Sequence, residues 1–211
     1  MKVAKAFPVS LLALALTVPI AWMSAQADAG GPSVEQATAA KLVYGVLSDS
    51  RYAYRPRALD DKLSAEVFKR YLESLDPAKL FFTAADVDKL TAYRATLDDA
   101  IKSGEVAPAF EMFALYQQRV NARVAHARSL LAKDIFRFDG DDRWEYDRED
   151  APWAANTAEL DKLWQQSVRN DWLRLKLAGK QPDEIRKTLD KRYANIVKSV
   201  AELNSADAFQ T

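Results

Sequence analysis

The sequence predicts an all-α fold: a single domain of about six helices, including one long central helix, preceded by a cleaved signal peptide. Three observations carry this expectation. Apolar residues recur at steps of three, four and seven along most of the chain, the spacing that lines one face of a helix. Cap and stop signals punctuate these runs at helical lengths. Sustained strand alternation is missing, and only Phe136-x-Phe138 and Trp144-x-Tyr146 offer short candidates.

The first segment reads as an export signal. Lys2 and Lys5 form a charged start, Val9 to Ile20 is an apolar run, and Ala25-Gln26-Ala27 is a small-x-small cleavage site. The run is short for a membrane span, and no cysteine follows it to carry a lipid. Residues 1–27 are therefore expected to be a signal peptide cleaved after Ala27, and 28–211 the exported domain in the periplasm.

The helices follow in order. Leu42, Val43, Val46 and Leu47 share a face in the first. Leu63, Val67, Phe68, Tyr71, Leu72 and Leu75 line the second, stopped at Asp76-Pro77 because Pro77 disfavours a helical residue before it. Thr83-Ala84-Ala85-Asp86 resembles a capping box and opens a third through Leu90, Leu97 and Ile101, closed by Gly104. From about Ala107 to Phe136 runs the long central helix, with Phe113, Val120, Val124, Leu131 and Ile135 on one stripe. Asn156-x-x-Glu159 caps a helix carrying Leu160, Leu163, Trp164, Val168 and Leu175 that stops at Gly179. Pro182 opens a last helix with Ile185, Leu189, Ile196, Val200 and Leu203 inward, running off the end near Thr211 without a stop signal.

Charge and composition exclude several function classes. Removing Lys2 and Lys5 from 30 basic residues leaves 28 against 30 acidic ones, a net of −2 with no basic stripe, which argues against nucleic acid. The chain has no cysteine, so neither disulfides nor thiol chemistry enter. Its one histidine, His126, sits mid-helix, and no strained Gly-x-Ser-x-Gly turn presents a serine to it. A zinc site and a glycine-rich phosphate loop are both without support. The expectation is no catalytic, cofactor-binding or metal residue in this chain.

One acidic cluster invites a calcium reading: Asp139, Asp141, Asp142, Glu145, Asp147, Glu149 and Asp150. Counted as a calcium loop from Asp139, it puts Arg143 at position five, Trp144 where glycine is required, and Asp150 where a bidentate Glu is usual. Arg137, Arg143 and Arg148 interleave with the carboxylates, which favours an ion-paired loop. No pair of carboxylates stands out for glycosidase-type catalysis. The pair Phe81-Phe82 and the stripe Phe110, Phe113 and Tyr116 read as core before they read as a ligand pocket. The segment 147–180 concentrates Trp153, Trp164 and Trp172 around a charged loop and a capped helix start, the composition of a packed junction.

That junction also carries a resemblance. Val67-Phe68-Lys69-Arg70-Tyr71-Leu72 with Leu75-Asp76, Ala84-Ala85-Asp86-Val87, Asp147-Arg148 and Ala151-Pro152-Trp153 occur in order. They are followed by Ala158-Glu159-Leu160, Leu163-Trp164, Leu173-x-Leu175-Lys176-Leu177-x-Gly179-Lys180, Glu184-Ile185-Arg186-x-Thr188-Leu189-x-x-Arg192-Tyr193 and Asn204-Ser205-x-Asp207-x-Phe209. Together they resemble the N-terminal helical domain of the bacterial periplasmic tail-specific proteases, the carboxy-terminal processing serine proteases.

The resemblance implies a structural and docking domain. Family enzymes use a Ser-Lys dyad and a PDZ domain that captures apolar C-termini, and both lie after the matched region. The implied partners are proteins: the protease and PDZ portion, and a helical-repeat adaptor lipoprotein. The expected function is that of an N-terminal domain without proteolytic activity of its own, a truncated or separately encoded piece. The alternative is a stand-alone periplasmic binding or adaptor module derived from it.

Overall fold

A computed structural model describes residues 32–133, 136–203 and 205–210. The expected signal peptide and its Ala27 cleavage site lie outside these residues. The described chain is helical: α1 (Val34–Ser48), α2 (Asp61–Leu75), α3 (Ala84–Leu90), α4 (Leu97–Ser103), α5 (Ala107–Leu131), α6 (Thr157–Leu177), α7 (Pro182–Glu202) and α8 (Ser205–Gln210), with a 3-10 turn at Thr91–Tyr93. Among the described residues the one strand-like feature is an isolated parallel bridge between Thr83 and Ala154.

Helix starts follow the sequence closely, because a cap needs only local atoms. Asp60 accepts the Leu63 N–H at 2.9 Å. Thr83 and Asp86 form a reciprocal capping box at the head of α3. Asn156 accepts the Glu159 N–H at 3.0 Å, while Glu159 reaches back to the Ala155 N–H at 2.6 Å.

The number of helices differs from the expected six or so, for tertiary reasons. The single helix expected through Leu90, Leu97 and Ile101 is two. Thr96 leaves the helical region at φ −127°, and the Leu97 N–H is taken by the buried Ser64 hydroxyl of α2 at 2.9 Å. A neighbouring helix thus supplies the cap that α4 lacks in its own sequence. The central helix ends at Leu131 instead of reaching Phe136, whose ring turns in to lie 5.1 Å from Trp172; Ile135 lies outside the described residues. The last helix does not run to the end either. It stops at Glu202, Leu203 turns extended, and α8 folds back to bury Ala208.

Helix α5 organises the interior. At 25 residues it is about 37 Å long and passes through two apolar clusters. Its C-terminal half sets Val120, Val124, Ala127, Leu130 and Leu131 against Leu160, Trp164, Val168 and Trp172 of α6 and Ile185, Leu189 and Tyr193 of α7. Its N-terminal half sets Met112 and Phe113 against Phe68, Tyr71, Leu72 and Leu75 of α2, together with Phe82, Leu90, Leu97 and Ala208. Tyr116 packs against both clusters.

Helix α1 reverses the expected arrangement. Its buried residues are Gln36 and Ala40, whereas Leu42, Val43, Val46 and Leu47 are 65, 50, 52 and 41 % exposed. The small face, not the aliphatic one, meets α4. The reason is Gly104, which closes α4 at φ +77° and comes so near α1 that an added Cβ would lie 2.8 Å from the Ala37 carbonyl oxygen.

Candidate functional site

The loop between α2 and α3 is where the chain concentrates its buried polar atoms. Asp76, the residue at the Asp-Pro stop, is fully buried. Its carboxylate accepts the N–H groups of Leu80, Phe81 and Phe82 at 2.8, 2.8 and 2.9 Å. Burial pushes its pKa up, against the pull of these donors and of the nearby Arg148 guanidinium. For the three N–H groups to converge, the chain must turn sharply, and Lys79 makes the turn in the left-handed region at φ +52°.

Lys79 is itself unusual. It is only 8 % exposed, its Nζ donates to the Glu149 carbonyl, and the ammonium stands 5.7 Å from the centre of the Trp153 ring. Among the described residues no carboxylate pairs with it.

The Trp-rich segment closes over this loop. Trp164 donates its indole N–H to the Leu80 carbonyl at 2.6 Å, and Ala84 N–H bonds the Ala154 carbonyl at 2.8 Å. Phe81 and Phe82 stack against Tyr116, Trp164 and Trp153 at ring-centre distances of 5.6 to 6.0 Å. Offset and edge contacts of this kind add to the area they bury. Nearby, the Asp86 carboxylate takes a two-point contact from Arg119, at 2.9 and 2.5 Å, as well as both Thr83 donors. Burial alone would raise Asp86, but Arg119 and Thr83 outweigh it and hold the carboxyl below its ordinary range. The expectation of a packed junction therefore describes the residues well.

The acidic loop departs from its expected pairing. Asp142 pairs with Arg169 of α6, and Arg148 donates to the Ala78 carbonyl at 3.1 Å instead of to a loop carboxylate. The interleaved arginines thus do not pair with the loop's own acids. Among the described residues no three His, Asp or Glu side chains meet where a metal ion could sit. His126 faces α6, its Nδ1 3.7 Å from Asp161, which also binds Arg123; its Nε2 is buried without a hydrogen-bond partner.

Sequence reasoning passed over Lys79 altogether. Its one signal was indirect: an Asp-Pro turn, followed within four residues by an aromatic pair, needs a tight reversal somewhere between them.

Fold and geometry together define an all-helical domain whose polar chemistry is concentrated in a structural junction and whose surface carries exposed apolar features. The chain belongs to the tail-specific protease N-terminal domain family, whose sequence profile matches residues 46–211. It is 34 % identical over 158 residues to a tail-specific protease of Haemophilus influenzae, covering 74 % of this chain and 23 % of that relative. The chain thus spans under a quarter of the length of the curated relative it matches. Among the described residues, no helix is long and apolar enough to cross a membrane.

Proposed function

We propose that this chain is the N-terminal structural and docking domain of a periplasmic carboxy-terminal processing serine protease, with no proteolytic activity of its own. The observation that carries the reading is the family match over 46–211, joined to a relative most of whose length lies outside the aligned region. The exposed face of α1 supports the docking half. Leu42, Val43, Val46 and Leu47 form a contiguous aliphatic strip on a helix that is already capped and held against α4. Such strips on a soluble surface mark places where other protein packs.

The occupant we assign to this strip is the protease portion of a tail-specific protease. The test mixes the purified protein with a tail-specific protease lacking its own helical domain. Co-elution is expected, and Val43→Glu with Leu47→Glu should abolish it while leaving the thermal unfolding midpoint unchanged. Failure to associate, or association indifferent to both substitutions, sinks the docking reading. Cleavage of an apolar-tailed substrate by the purified protein alone would sink the claim that it lacks activity. The adaptor reading gains support from the two apolar clusters that close within the described residues. A monomer that binds other exported proteins but no protease portion would favour it.

A further inference from the structure

A second surface stands apart from the α1 strip. Between α2, the turn after α3 and the loop before α6 lies a groove of about 350 Å³, with Phe68, Leu72, Val87 and Trp153 on its walls. Its charged lining is unbalanced. Lys69, Lys79 and Arg94 line it from three different segments, and the one acid, Glu73, is in a loose exposed pair with Lys69 at 3.7 Å.

Lys79 is the decisive residue. An ammonium removed from water ordinarily needs a carboxylate to offset the lost hydration. This one has a carbonyl and a ring face, which leaves its charge uncompensated. It is also held in a left-handed conformation, at φ +52°, that disfavours any residue with a Cβ. A strained, nearly buried cation beside an indole on the wall of an apolar groove is a preformed place for an anion attached to an apolar body.

We propose that this groove docks a partner segment that is apolar on one face and carries acidic side chains, one of which meets the Lys79 ammonium. The choice of side-chain carboxylates over a single terminal one follows from the placement of the cations. Lys69 of α2 and Arg94 after the 3-10 turn add to Lys79, so the groove's lining carries three cations from separate segments against one acid. An amphipathic segment carrying several acids matches that excess of positive charge, and its apolar face covers Val87 and Trp153.

The inference can be tested without any protease portion, so its failure is separable from failure of the docking reading above. The probe is a short amphipathic peptide of Leu and Glu, amidated at its C-terminus, titrated into the purified protein by fluorescence anisotropy. Saturable binding that weakens with added salt is expected. Lys79→Met should weaken it about tenfold or more, the scale of one lost charge-assisted contact.

Lys79→Gly removes the same ammonium while easing the left-handed turn. It should lose binding equally, which separates charge from misfolding. Val43→Glu with Leu47→Glu should leave this binding intact. The proposal is overturned if the Gln-for-Glu peptide binds as tightly, if neither Lys79 variant weakens binding, or if an all-apolar peptide with a free carboxyl terminus binds better than the acidic one.

Discussion

Replacing Gly104 with alanine tests how α1 is held against the body of the domain, and its cost can be worked from two separate terms. The first is conformational: at φ +77° any residue with a Cβ pays about 1 kcal/mol for the left-handed region. The second is steric. The new Cβ would lie 2.7 Å from Lys41 Cε and 2.8 Å from the Ala37 carbonyl oxygen. The lysine end can swing away, but the carbonyl belongs to the backbone of α1 and can retreat only if the helix moves. Overpacking of that kind costs about 1–3 kcal/mol, so Gly104→Ala should destabilise the fold by about 2–4 kcal/mol in all, with the steric part falling on the α1–α4 contact.

Because α1 sits at the edge and packs chiefly on α4, the loss should surface as local release before global unfolding. Hydrogen exchange should show the α1 amides losing protection while those of α5 keep theirs. Adding Lys41→Ala should recover less than half of the loss, since it removes only the flexible contact. An unchanged urea midpoint together with unchanged α1 protection in Gly104→Ala would refute the reasoning, and with it the account of why the aliphatic face of α1 points outward.

Two further outcomes concern buried polar contacts. Arg119 and Thr83 hold Asp86 below its unfolded pKa of about 4, so on acidification the unfolded chain takes up the proton first. The stabilisation is present above that value and is lost as pH falls through the lower folded pKa; urea midpoints measured across pH should show this slope, and Asp86→Asn should flatten it. An identical slope in the variant would count against the assignment. The Tyr71 hydroxyl lies 3.0 Å from the carbonyl oxygens of both Ala109 and Ala208, tying α8 to α2 and α5. Tyr71→Phe should cost about 1 kcal/mol in urea unfolding and free the α8 amides to exchange; α8 protection equal to that of the unmodified protein would show that the tie is unimportant.

Much of the fold was legible because it rests on atoms close in sequence. Thr83 with Asp86 and Asn156 with Glu159 set helix starts within three residues. The periodic stripes of α2, α5, α6 and α7 are buried at their centres much as their spacing implies, while Val67, Leu163, Leu175, Ile196 and Val200 are only partly covered and Leu203, expected inward, is exposed. The family resemblance was legible for a similar reason: its motifs are ordered short segments.

Other features depend on what lies across the fold. Periodicity marks an apolar face but not its partner, and on α1 the close approach of Gly104 turned the small face inward and left Leu42, Val43, Val46 and Leu47 outside. A hydroxyl on α2 decides where α4 begins, and the return of α8 depends on carbonyls far away in sequence. The buried ammonium of Lys79 is the clearest case. In the sequence it is an ordinary lysine two residues beyond a proline. Only the closure of Trp153 and the Glu149 carbonyl over it takes it out of water, because desolvation belongs to the assembled surroundings and not to the residue. Local hydrogen bonds and apolar spacing determined the helices; the tertiary structure decided which faces they cover and which charges they strand.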